Sequence, residues 1–163
     1  MAASSKGYAA IRAEHAVRWR AFHANTAVRL PDKRMERLYR LSLWLVKASQ
    51  NEETGFIAAS MLDANKSGGH ACFWDCTFEM RALVTSNQRA AARGLLDFYV
   101  AHLAQARKYA RQLGRNGAYY PWFSNYRCES LNFENAADMP GIQKWNNGCI
   151  GIQLFDPFRY WGD

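Results

Sequence analysis

The chain of 163 residues contains no run of about 18 uncharged apolar residues, so no segment reads as a membrane span. Its first residues, Met1-Ala2-Ala3-Ser4-Ser5-Lys6, lack the apolar core of a signal peptide, and a cytoplasmic protein is expected. Cysteine is scarce: without a secretory signal, the four thiols Cys72, Cys76, Cys128 and Cys149 are expected to stay reduced. His70, Cys72 and Cys76 lie close together, but no second ligand pair follows of the kind a structural zinc site needs. The reading is therefore no metal, with the thiols buried. Acidic residues are also in deficit, 14 against 21 Lys and Arg, for a formal charge of +7. Much of that excess falls between Arg12 and Arg40. It permits a polyanionic partner, yet arginines at helical spacing more often form a solvated face, and nucleic acid is not the expected partner. His15 and His23 have no Ser, Cys or carboxylate in a recognisable catalytic arrangement, so each reads as a packing or surface residue.

What is present is a globular composition, 49% apolar, in a length that allows one domain at most, taken as 1–163. Apolar residues recur at steps of three and four, and they predict helices over Ala9 to Ala24 and Asp32 to Ser49, the second capped by Asp32. In the second, Leu38, Leu41, Leu45 and Ala48 form one stripe, and Leu43, Trp44 and Val46 fill much of the rest. Such a helix is expected to be buried on two sides. A third helix runs from Trp74 to Thr85; Ser86-Asn87-Gln88 ends it, with Asn87 available to cap the next. A fourth keeps phase from Leu95 through Tyr99, Leu103, Ala106 and Ala110 to Leu113. A fifth, from Gln143 to Tyr160, is weakened by Asn146-Asn147-Gly148 and Asp156-Pro157. Phe56 to Ala59 reads as a loop with a brief strand, and Gly68-Gly69 as a turn. Helices joined by short breaks pack as antiparallel hairpins.

The stretch from Gly68 to Trp122 organises the chain. A sugar ring presents C–H faces that pack on an aromatic ring and hydroxyls that need fixed acceptors, so an indole beside a carboxylate serves both. Trp74-Asp75 is such a pair, and Tyr119-Tyr120-Pro121-Trp122 supplies a second aromatic cluster. The competing reading makes Trp74 a core aromatic and Asp75 the N-cap of the next helix.

Trp74-Asp75-Cys76-Thr77, Ala92-Arg93-Gly94-Leu95-Leu96, Ala106-Arg107-Lys108-Tyr109-Ala110 and Gly117-Ala118-Tyr119-Tyr120-Pro121-Trp122 together resemble the central domain of the family 65 glycoside hydrolases and phosphorylases. That resemblance implies an all-α fold, a partial (α/α)6 six-hairpin barrel of antiparallel helical hairpins with long loops. A closed ring of about twelve helices needs on the order of 200 residues, so the domain is expected to be incomplete. It also implies a glucoside or oligosaccharide substrate, with Trp74, Asp75, Tyr120 and Trp122 lining the sugar subsite and Glu129 near the place of a family glutamate. No cofactor is implied, beyond inorganic phosphate as co-substrate for a phosphorylase. Three positions depart from the pattern: Thr77 stands where the family has Glu, Phe98-Tyr99 replaces an aromatic-Arg pair, and Ala82 replaces a Pro. Glu79 lies two positions on and, turned about 200° around the helix, is no simple replacement for that Glu. The general acid that hydrolysis or phosphorolysis requires lies, in the family, beyond this stretch. The resemblance thus leaves a glycosidase or phosphorylase portion expected to be inactive alone, a non-catalytic carbohydrate-binding relative, or, from another class, a basic helical nucleic-acid-binding protein. Exposed inner helices predict self-association.

Overall fold

A computed structural model describes residues 6–58, 71–130 and 144–162. In chain order the elements are α1 (Tyr8–Ala24), α2 (Lys33–Ala48), β1 (Ala71–Cys72), α3 (Cys76–Thr85), α4 (Arg89–Ala101), α5 (Leu103–Gln112), β2 (Phe123–Ser124) and α6 (Lys144–Trp161). The described residues are all-α, as expected, apart from a small antiparallel ladder that sets Ala71 opposite Ser124 and Cys72 opposite Phe123. Gly68 and Gly69 lie outside the described residues.

Local signals explain most helix ends. Asp32 caps α2, its Oδ1 accepting the N–H groups of Arg34 at 2.7 Å and Met35 at 3.4 Å. The expected brief strand near Phe56 is an isolated bridge between Gln50 and Ile57, with Ile57 fully buried. The turn that follows α2 docks on α4 through a backbone contact. Gly55 has φ of 75°, and a Cβ built on it would lie 1.8 Å from the Gly94 carbonyl oxygen. Only glycine fits there, and the buried Gln50 amide ties the two segments by donating to Gly55 O at 3.2 Å and Ala91 O at 2.8 Å.

The core lies between α3, α4 and α6, built from Phe73, Met80, Leu83, Leu95, Phe98 and Tyr99 with Ile57 and Ile150 at its borders. α3 packs most extensively on α6 and next on α4. Buried polar side chains of α6 also reach across this interface, Asp156 to Arg81 at 3.1 Å and Gln153 to several partners. Gln153 of α6 donates to Phe73 O at 2.6 Å and Thr77 Oγ1 at 3.0 Å, and accepts from the Tyr99 hydroxyl. Thr77 is thereby committed to packing.

Four expectations need correction. The stripe Leu38, Leu41 is half exposed, and the buried residues of α2 are Leu43 and Val46, because α2 meets α3 and the Ile57 segment on that other side. The fourth helix is interrupted at His102, whose ring Nδ1 engages Phe98 O at 2.8 Å and lies 4.4 Å, centroid to centroid, from the Phe98 ring. Asn87 adopts φ of 58° and turns the chain out of α3; Gln88 holds the N-cap position of α4, with no side-chain cap bond. α6 runs unbroken through Asp156-Pro157, since tertiary contacts outweigh the propensity of single residues.

α1 stands apart from the core and has no buried residue. It is held by the Gln88 amide, which donates to Phe22 O at 2.8 Å and Thr26 Oγ1 at 2.5 Å, and by Trp19 packing on Trp44 at 5.9 Å.

Candidate functional site

The ladder register creates the aromatic site. Pairing Cys72 with Phe123 places the residues just after β1 beside those just before β2, so Trp74 and Trp122 meet with ring centroids 6.1 Å apart. Trp145, at the start of α6, closes the group at 5.4 Å from Trp74 and 5.2 Å from Trp122. Its position follows from Asn146 and Asn147, the residues that weaken a helix by propensity. Asn147 Oδ1 accepts the Tyr120 N–H at 2.8 Å, and Asn146 Nδ2 donates to Tyr120 O at 3.1 Å. These bonds pin the first turn of α6 to the Tyr-Pro-Trp segment. Phe78, 67% exposed, extends the surface 6.1 Å from Trp74, and Trp145 is 47% exposed, so the rings form an accessible wall rather than a sealed core.

Of the residues expected in a sugar subsite, Trp74 and Trp122 are brought together and Asp75 adjoins them in sequence. Asp75 occupies the N-cap position of α3 in helical backbone geometry, φ −62° and ψ −37°, and makes no side-chain cap hydrogen bond. Tyr120 goes elsewhere. It is 6% exposed, its ring packs on Phe73 at 5.8 Å and Tyr99 at 5.4 Å, and its hydroxyl donates to Tyr99 O at 2.6 Å. Its side chain is a core prop, because satisfying a buried hydroxyl directs it inward. Glu129 is exposed and accepts from Asn125 Nδ2 at 2.6 Å, which builds the turn after β2. Trp145 escaped sequence reading, since only tertiary pairing links it to Trp74.

Beneath Asp75, one helical turn along α3, lies Glu79, only 5% exposed. Its Oε2 has no hydrogen-bond partner. Burial pushes this carboxyl up to about 7, against the opposing effect of a hydrogen bond with Cys76, and the Asp75 charge adds to the rise. Enclosed in this way, Glu79 is part-protonated near neutral pH and almost wholly shut off from solvent. Trp74 Nε1 and Asn146 Oδ1 are likewise buried without partners. The thiols of Cys76 and Cys128 are buried, as expected; burial raises Cys128 to about 12. No group of three or more His, Cys, Asp or Glu side chains among the described residues is arranged to hold a metal ion.

A mostly helical chain with an aromatic wall and an adjacent carboxylate at one end of its hairpins has the make-up of a helical carbohydrate-active domain. Residues 36–146 match the glycosyl hydrolase family 65 central catalytic domain, and the chain belongs to that family. It is 30% identical over 122 residues to two proteins described as uncharacterized glycosyl hydrolases, from Mycobacterium tuberculosis strains CDC 1551 / Oshkosh and ATCC 25618 / H37Rv. The match covers 72% of this chain and 9% of each relative, so the chain spans a small part of their length. No solved structure gives a significant match. Among the described residues, no helix is long and apolar enough to cross a membrane.

Proposed function

We propose that Trp74, Trp122 and Trp145 form the aromatic wall of a glucoside-binding subsite, with Asp75 accepting hydrogen bonds from the sugar hydroxyls. The chain then serves a family 65 glycosidase or phosphorylase that acts on glucosides. The observation that carries this reading is the convergence of three indoles, at 5.2 to 6.1 Å, with the Asp75 carboxylate adjoining them in sequence. The rings supply dispersion contact with the C–H face of a pyranose, and the carboxylate fixes its orientation. No cofactor enters this reading; inorganic phosphate is the co-substrate where the reaction is phosphorolysis. Bond cleavage needs a carboxylic acid on the leaving oxygen, and neither the enclosed Glu79 nor Glu129, held by Asn125, is offered for that role.

A non-catalytic carbohydrate-binding role is the second reading. Thr77, bonded to Gln153 where the family pattern has glutamate, favours it. Hydrolysis and phosphorolysis of a panel of glucose disaccharides, run beside indole fluorescence titrations with the same sugars and with Asp75→Asn as control, separates the two. Turnover lost in Asp75→Asn supports the enzyme. Saturable fluorescence change without turnover supports the binding relative, and no response to any sugar overturns both.

A further inference from the structure

Away from the aromatic wall, the α1–α2 face carries a groove of about 400 Å³ lined by Trp19, Arg20, His23, Thr26 and Arg40 among small alanine side chains. No carboxylate lines it. Arg40 approaches from α2, its Nη2 held by Glu36 Oε1 at 2.9 Å. Glu36 is itself shared with Lys33 at 2.9 Å and the Leu30 N–H at 3.1 Å, so it does not cancel the groove's cations. Arg20 approaches from α1 and has no acidic partner among the described residues. The Thr26 hydroxyl oxygen accepts from Gln88, which leaves its own proton to donate. Trp19 packs beside His23, centroids 6.1 Å apart, and gives the groove an apolar floor.

Two helices thus present Arg20 and Arg40 to one concavity, with hydroxyl and imidazole donors between them and no carboxylate among the lining residues, Glu36 pairing with Arg40 from outside the groove. We infer that this groove binds a phosphate group, as free phosphate or as a small phosphate monoester whose body rests on Trp19. Arg20 and Arg40 grip its oxygens from opposite helices, and His23 and Thr26 supply further donors. The bound anion removes the repulsion between α1 and α2 and clamps to the core a helix that has no buried residue of its own. This reading is independent of the sugar subsite, which lies just before α3 and β2 and at the start of α6.

His23 reports occupancy. Burial and then the Arg40 charge hold its imidazole below 6.5, and Arg20 lines the same groove. The test is an NMR titration of the His23 ring with inorganic phosphate, with phenyl phosphate, and with sodium chloride at matched ionic strength, on the whole chain and on Arg20→Ala. The expected result is a saturable rise of the His23 pKa with phosphate and not with chloride, and affinity reduced about tenfold or more in Arg20→Ala, which removes a charge-assisted contact from an exposed position. Tighter binding of phenyl phosphate assigns the site to monoesters; equal binding assigns it to phosphate itself. An unmoved His23, an equal response to chloride, or undiminished affinity in Arg20→Ala overturns the inference. Glucose disaccharides, added as a further arm, leave His23 unmoved whether or not the sugar reading holds.

Discussion

Replacing Glu79 with Gln tests the packing beneath the candidate site more directly than any other change. The carboxyl is 5% exposed, and its folded-state pKa is about 7 against an ordinary 4.5. Because the folded value is the higher one, the folded chain binds more protons than the unfolded chain across that interval, and stability falls as pH rises through it. The full interval corresponds to about 3 kcal/mol, present below the unfolded value and lost above the folded one. Glu79→Gln keeps the shape and removes the titration. The variant should match the parent near pH 4.5 and exceed it by up to about 3 kcal/mol at about pH 8. Urea denaturation of both proteins at a series of pH values gives the difference directly, since titrating groups that do not interact with Glu79 cancel between them. A difference that stays constant from about pH 5 to about pH 8 would refute the reasoning. A variant less stable at the alkaline end would do so more sharply, by showing that a cation holds the carboxylate in its charged form.

Gly55→Ala should cost about 2 to 4 kcal/mol, because the new Cβ meets the Gly94 carbonyl oxygen at a backbone angle that L residues avoid; chemical denaturation checks it, and a loss within about 0.5 kcal/mol would contradict the close approach. Asn147→Ala removes the acceptor for the Tyr120 N–H and should destabilise by about 1 to 3 kcal/mol while shifting Trp145 fluorescence, the second effect being absent if the aromatic wall does not depend on that bond. Trp145→Ala should weaken sugar binding by about 1 kcal/mol in a calorimetric titration with little loss of fold, since the ring is 47% exposed; unchanged affinity would remove it from the site. Met35, Leu38 and Leu41 on α2 and Ile152, Phe155 and Phe158 on α6 are each at least about two-fifths exposed, so the isolated chain should self-associate in light scattering, and a monodisperse monomer would refute this.

Local chemistry determined much of the architecture. The Asp32 cap, the three-and-four spacing in α1 to α3 and the motif run from Trp74 to Trp122 each act over a few residues of contiguous chain, and so were legible in the sequence. The helix class, the family and the pair Trp74-Asp75 followed from them. What needed the tertiary structure was every feature whose cause lies far along the chain. His102 breaks a helix whose apolar phase continues through it, because its ring turns back onto the Phe98 carbonyl and ring. Tyr120 and Trp122 sit two positions apart in one motif, yet the first is drawn inward by the Tyr99 carbonyl while the second joins the wall. Trp145 reaches Trp74 and Trp122 because Asn146 and Asn147 bond to Tyr120, 26 and 27 residues earlier. Periodicity specifies which face of a helix is apolar; it does not specify which neighbour covers that face, and for α2 the covered residues proved to be Leu43 and Val46 rather than Leu38 and Leu41. That choice is made by the whole set of packed elements at once, through burial and hydrogen bonds that no single segment contains.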